Sequence, residues 1–256
     1  MNSTVHVHLL PDLIPEDALL GGTAVVIDIL RATTTMTCGL ANGAERIIPC
    51  VGVEEAHATR DRLKSEKIDV LLGGERQGKP LPGFDLGNSP ATYTAETVGG
   101  KTVVMTTTNG TRAMAMCRQA DQIVIGSFAN LSRVLEHLKD CPTVHLVCSG
   151  THRHITSEDV LFAGAVAQKL SQLSDDHLLN DQARIAISHW NSLLNDTESR
   201  SGLPNDGKLE QAFQVSLGGM NLIKQDRGPD LAYAALIDRH QNLPILNIET
   251  WEIRNA

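Results

Sequence analysis

The sequence predicts an α/β protein, a mainly parallel sheet flanked by helices, and three observations predict it. Short β-branched apolar runs such as residues 24–29, 101–105 and 143–148 lack apolar/polar alternation, as strands covered on both faces do. Stretches of helical periodicity lie between them, which is the alternation that builds βαβ units. Several runs also end in Gly-, Ser- or Thr-rich turns leading into helices, where open α/β folds hold their ligands.

In chain order, residues 5–10 alternate apolar residues with histidine and read as a strand with His6 and His8 on one face, delayed from the next element by Pro11 and Pro15. The apolar run from Ala24 to Ile29 is the second strand, followed by a helix over 35–42 stopped at Gly43, and by a strand over 45–49. Residues 53–66 form an amphipathic helix. A strand over 68–72 then runs into the turn Gly73-Gly74-Glu75-Arg76-Gln77-Gly78, where glycine lets backbone approach a ligand. Ser89-Pro90 is a helix N-cap and first-turn pair. A strand over 101–105 ends in Thr106-Thr107-Thr108-Asn109-Gly110-Thr111, before a helix starting near Arg112. The strand over 143–148 ends in Ser149-Gly150, a polar loop follows, and Ser157 caps a helix with Glu158 and Asp159 in its first turn. Further on, helices are expected over 182–194, 209–223 and 231–239, with a loop over 199–207 and a last strand over 243–249. Asp226-Arg227-Gly228-Pro229-Asp230 is either a helix-connecting turn or a route for Arg227 back to a ligand.

The chain reads as one domain over residues 1–256. Its 24–66 and 101–139 stretches form a degenerate repeat of strand, hydroxyl-rich turn, helix and strand. Thr35 and Ala44 fall on Thr111 and Ala120 at one offset, 76 positions. Two such units side by side would put two helix starts on one sheet edge; chance similarity of two βαβ units is the alternative reading.

Composition narrows the function. Acids outnumber bases 30 to 22 and the formal net charge is −8, which argues against a nucleic-acid or anionic-membrane partner. An anionic substrate then needs local cations or a metal. The five cysteines have no CxxC or zinc-type spacing and read as reduced core residues. With no signal-type N-terminus and no apolar run of spanning length, a cytoplasmic protein is expected.

Asp28 is the residue that breaks the most apolar strand. A carboxylate there must be paired, hydrogen-bonded or metal-bound, and Arg31 or a metal is the expected partner. Thr33, Thr34 and Thr35 add hydroxyls where a helix begins. Glu158 and Asp159 follow another strand end on the same edge of a parallel sheet, and carboxylates converging there suit Mg²⁺.

Five blocks now carry a family resemblance: Asp28-Ile29-Leu30-Arg31-Ala32-Thr33-Thr34-Thr35, Gly73-Gly74-Glu75-Arg76, Gly83-Phe84-Asp85-Leu86-Gly87-Asn88-Ser89-Pro90, Thr107-Thr108-Asn109-Gly110-Thr111 and Glu158-Asp159-Val160. Together they resemble the 2-phosphosulfolactate phosphatase (ComB-like) family over about residues 25–164, more loosely after Ser171. Ser149 stands before Gly150 where alanine is the family habit, and residues 161–164 lack a cysteine, changes that touch packing. The resemblance implies a ComB-like α/β fold and an Mg²⁺-dependent phosphatase releasing phosphate from 2-phospho-3-sulfolactate on the route to coenzyme M. The candidate catalytic residues are Asp28, Arg31, Glu158 and Asp159, and the candidate Mg²⁺ ligands are Asp28, Glu75, Asp85, Glu158 and Asp159. Substrate binding falls to Thr33, Thr34, Thr35, Arg76, Asn88, Ser89, Thr107, Thr108, Asn109, Gly110, Thr111, Ser149 and Gly150. The chemistry fits, since a phosphomonoester dianion needs metal and cations around it before a nucleophile approaches. The expected partner is a small anionic phosphorylated substrate, with a homodimer left open. The other readings are a non-catalytic anion-binding or regulatory protein, and a phosphotransferase on a related acid phosphate.

Overall fold

The computed structural model of the protein describes residues 4–173, 178–195 and 203–256. In chain order its elements are β1 (Thr4–His8), β2 (Thr23–Ile27), α1 (Ala32–Ala41), β3 (Arg46–Cys50), α2 (Val53–Ser65), β4 (Val70–Arg76), β5 (Lys79–Pro80), α3 (Ala95–Val98), β6 (Thr102–Thr106) and α4 (Gly110–Met116). They continue as β7 (Gln122–Gly126), α5 (Leu131–Leu138), β8 (Thr143–Cys148), α6 (Ser157–Ser171), β9 (Leu178–Leu179), α7 (Asp181–Asn195), α8 (Asp206–Gln214), α9 (Leu217–Ile223), α10 (Pro229–Ala234), β10 (Pro244–Asn247) and β11 (Glu252–Asn255).

The α/β class is as read from the sequence. The strands form one sheet in the order β5-β4-β6-β3-β11-β10-β7-β2-β8-β1-β9. Strands β4, β6 and β3 run parallel, as do β7, β2, β8, β1 and β9. The antiparallel hairpin β10–β11 is inserted between these two groups. The elements β2-α1-β3-α2 and β6-α4-β7-α5 share one order but do not lie side by side: β2 pairs with β7 and β3 with β6, so the strands interleave.

Alternating side chains show how the layers close. On β2, Val25 and Ile27 enter one core with Phe128, Phe162, Trp190 and Phe213, while Ala24 and Val26 enter another with Met36, Met105 and Met114. That second core takes side chains from both strand groups. Ile47 and Val103 reach it, whereas Ile48 and Val104 turn to a third core beneath α2. A single layer holding α1 and α4 therefore serves both halves of the sheet, and the two helices pack together although β2 and β6 are not neighbours. On β1, His6 and His8 share a face and stack on His145 of β8, at ring distances of 5.0 and 5.4 Å. All five cysteines are free thiols.

Several boundaries differ from expectation. Helix α1 begins at Ala32, so Thr33, Thr34 and Thr35 belong to its first turn and lie fully buried. Gly73 and Gly74 sit inside β4, and Gly74 (φ +151°) is required because a Cβ there would collide with the Thr106 carbonyl of β6. The close approach is thus strand to strand. Ser157 is already helical in α6, and Thr156 occupies the N-cap position without a side-chain bond to the helix. The helix expected over 209–223 is two, α8 and α9, separated where the Ser216 hydroxyl caps α9 by accepting from the Gly219 N–H at 3.0 Å. The helix expected over 231–239 is the shorter α10, and β11 beyond the last expected strand turns the C-terminus back into the sheet. Of the loop expected over 199–207, residues 199–202 lie outside the described residues, and α8 already begins at Asp206.

Candidate active site

Asp28 follows directly on β2, in the gap before α1. Its Oδ1 accepts the Ala32 N–H at 3.1 Å, and its carbonyl accepts the Thr33 hydroxyl at 2.9 Å, so the strand end is locked to the first turn of α1. Its Oδ2 has no partner among the described residues and sits against the start of α4. A Cβ built on Gly110 would come within 2.8 Å of Oδ2 and 2.7 Å of the Ala32 Cβ. Gly110→Ala is therefore expected to push Asp28 aside, and its phosphate-release rate to fall at least tenfold with far-ultraviolet circular dichroism unchanged.

The Asp28–Arg31 pair expected from the sequence is not formed. Arg31 reaches Asp230 Oδ2 at 2.6 Å, with both side chains buried, and donates to the Gly78 carbonyl at 3.1 Å. The Ser89 hydroxyl donates to Asp230 Oδ1 at 2.5 Å. Asp230 thus joins the start of α10 to the loops after β2 and β5. Its signal in the sequence was one acid in a five-residue turn, and attention there fell on Arg227, which does not line the cavity.

The other expected residues divide by position. Glu75 Oε1 accepts the Thr108 N–H at 2.8 Å and Oε2 the Gly78 N–H at 2.6 Å, tying β4 to the loop after β6. Asp159 accepts from the Ile29 N–H and the Gly150 N–H, each at 2.9 Å, so it clamps the ends of β2 and β8. Glu158 packs against Gly218 of α9, and its Oε2 is buried without a partner. Asp85 lies away from the cavity, where its carboxylate accepts the Leu72 N–H at 2.8 Å. Arg76 points elsewhere too, donating to the Glu75 and Val51 carbonyls and the Thr106 hydroxyl.

Of the hydroxyl groups, Thr33, Thr34 and Thr35 donate to the Asp28, Ile29 and Asn88 carbonyls. Thr107 and Thr111 bond to each other. These five therefore shape the turns, and Thr108, Asn109 and Asn88 are the expected polar residues that line the cavity. Ser149 keeps a buried, unpartnered Oγ, and Gly150 (φ +63°) turns the chain after β8.

Together these elements enclose a cavity of about 500 Å³, bounded by Asp28, Arg31, Glu75, Asn88, Thr108 and Asn109, with α9 forming the opposite wall. Its electrostatics follow from crowded acids. Burial, then the charges of Glu75 and Glu158, push the Asp28 carboxyl up to about 7, against the pull of the Ala32 N–H. Burial raises Glu158 as well, and burial with the charges of Glu158 and Asp28 raises Asp159 further. The cavity lining itself sets Asp28 and Glu75 against Arg31, Lys79 and Lys224.

The 2-phosphosulpholactate phosphatase family model matches residues 8–249, nearly the whole chain. The chain belongs to the 2-phosphosulpholactate phosphatase family. Proteins named probable 2-phosphosulfolactate phosphatase resemble it at 46% identity in Thermotoga petrophila, over 69% of this chain and 73% of that one. In Symbiobacterium thermophilum the figure is 35%, over 90% of this chain and 94% of that one. One from Clostridium perfringens is 45% identical over 62% and 65% of the two chains. In this phosphatase-family chain no helix among the described residues is long and apolar enough to cross a membrane.

The fit of Mg²⁺ to this phosphatase-family site is decided by its donor set. No three His, Cys, Asp or Glu side chains among the described residues are grouped closely enough to hold a metal. Mg²⁺ does not need such a cage, since it is commonly held by one or two carboxylates with water and substrate phosphate completing the octahedron. Asp28 fits that role: it has an unbonded oxygen in the cavity and a surplus of negative neighbours. Glu75 lines the cavity beside it.

Proposed function

We propose that the cavity is the active site of an Mg²⁺-dependent phosphatase acting on 2-phospho-3-sulfolactate, giving 3-sulfolactate and phosphate. The observation that carries this reading is the unbonded Asp28 Oδ2 at a buried strand end against Gly110, in a residue that lines a cavity walled also by the loop after β6. Asp28 is the residue that would hold the metal; Glu75, whose two oxygens already accept the Thr108 and Gly78 N–H groups, would add negative charge beside it. When bound, Mg²⁺ supplies the positive charge that a phosphomonoester dianion needs beside the Asp28 and Glu75 carboxylates.

The chain's own groups provide the rest. Thr108 and Asn109 bring polar groups to the cavity wall, and Asn88 Oδ1 lies in the same wall without a partner, an acceptor open to a donor such as water. Arg31 is held rigidly by Asp230 and Gly78, so its guanidinium contributes fixed positive charge rather than a mobile clamp. Asp28, whose carboxyl is pushed up to about 7 by burial and its acidic neighbours, would hold the metal in its ionised form.

The partners proposed are this small anionic substrate and no nucleic acid or membrane, in a cytoplasmic setting. A colorimetric phosphate-release assay with 2-phospho-3-sulfolactate tests the reading. Release is expected with Mg²⁺ and none after EDTA treatment. Full turnover after exhaustive chelation would remove the metal from the reading. A protein that binds the substrate and releases nothing would be the anion-binding alternative, and release that depends on an added alcohol acceptor would make it a phosphotransferase.

A further inference from the structure

The charge inventory of the cavity leaves two cations uncommitted. The Arg31 charge is matched by Asp230, and Arg76 lies outside the cavity wall. Lys79, from β5, and Lys224, just after α9, both line the cavity, and neither ammonium has a carboxylate partner or a hydrogen-bond acceptor within the described chain. A substrate bearing phosphate, carboxylate and sulfonate brings more negative charge than one Mg²⁺ neutralises, to a wall that already holds Asp28 and Glu75.

The two lysines stand on either side of a built seam. The Gln225 amide donates to the Gln77 carbonyl at 3.0 Å, and a Cβ on Gly78 would collide with the same amide. Arg31 and Glu75 fix the Gly78 carbonyl and N–H from below. The seam therefore fixes the backbone that carries both lysines, since Lys79 follows Gly78 and Lys224 precedes Gln225, while the two ammoniums keep their own N–H groups unpaired in the cavity lining.

We infer that Lys79 and Lys224 form an anion subsite for the sulfonate of the substrate, opposite Asp28, and so set the preference for a sulfonated acid. This rests on the phosphatase reading of the same cavity. Lysine suits the task, since a sulfonate is a compact three-oxygen anion that a point charge with three donors can meet from several directions. Part of the specificity then comes from the C-terminal third of the chain, where the sequence motifs are weakest.

Lys79→Met, Lys224→Met and the double variant test this, because both side chains are exposed and their loss leaves the core intact. The ratio of kcat/KM for 2-phospho-3-sulfolactate to that for 2-phospholactate, which lacks the sulfonate, is expected to fall about tenfold per lysine. The loss should sit in KM rather than kcat. In parallel, calorimetric affinity for 3-sulfolactate should fall by a similar factor. An unchanged ratio with unchanged 3-sulfolactate affinity would overturn the subsite, as would equal losses on both phosphate esters. If the wild type releases phosphate from neither ester, the phosphatase reading is what fails. The 3-sulfolactate titration still decides the subsite, which stands if affinity depends on the lysines and falls if it does not.

Discussion

Asp28→Asn is expected to lower phosphate release by a thousandfold or more and, in the metal-free protein at pH 8, to raise the melting temperature. The two effects have one cause. The Asp28 carboxyl is held near 7 in the fold, against roughly 3.9 in an unfolded chain. Between those values the folded state binds the extra proton, so stability is greatest below the unfolded value and is lost as pH rises through about 7. Beyond that point the ionised carboxylate costs a few kcal/mol, at about 1.4 kcal/mol per pH unit of displacement. Asparagine keeps an acceptor for the Ala32 N–H and removes the charge. Glu158 and Asp159 remain and act in the same direction, so the variant retains part of the slope. Added Mg²⁺ should raise the wild-type melting temperature by mass action and leave the variant unmoved. Melts from pH 4 to 9, with and without Mg²⁺, check all three points. A variant that keeps its Mg²⁺-induced shift would show that Asp28 is not the metal's principal ligand.

Asp230→Ala is expected to be the most destabilising single change at the site, at roughly 3–5 kcal/mol. Arg31 and Asp230 are 4% and 5% exposed as side chains, so removing the carboxylate leaves a guanidinium in a dry setting with only the Gly78 carbonyl. The Ser89 hydroxyl loses its acceptor at the same time. For a chain of this size the melting temperature should drop by roughly 10 °C. Replacing both partners, as Arg31→Met with Asp230→Leu, should recover much of that loss, because an apolar pair strands no charge. Guanidinium unfolding of the two variants decides it; a double variant no more stable than Asp230→Ala would show that Arg31 is not the stranded group.

Asp230 also marks the boundary of what the sequence can disclose. Asp28 was legible because a charge in a β-branched run has few local explanations. Glu75, Thr108, Asn109 and Asn88 were legible because polar residues clustered after strands. The partner of Arg31 was not, since it lies 199 positions away on a helix start whose local sequence reads as an ordinary turn. The threonines were misread for a related reason: periodicity placed the start of α1 at Thr35, and three residues of helix turned apparent ligand hydroxyls into helix-start and backbone bonds. Asp85 and Asp159 carry the right chemistry for a metal, yet they spend their oxygens on backbone N–H groups, a use no spacing reveals. The unbroken apolar run of β2 announced a strand covered on both faces, and the strand expected over 243–249 holds β10, but its insertion with β11 between the two parallel groups has no local signature.

The most direct measurement is an anomalous-scattering map of crystals soaked in Mn²⁺, which takes oxygen ligands as Mg²⁺ does, together with inorganic phosphate. The expected result is one strong peak at about 2.1 Å from Asp28 Oδ2, with phosphate density between it and the Thr108–Asn109 wall. A peak coordinated elsewhere with the Asp28 cavity empty of both ions would contradict the assignment of this cavity as the catalytic centre.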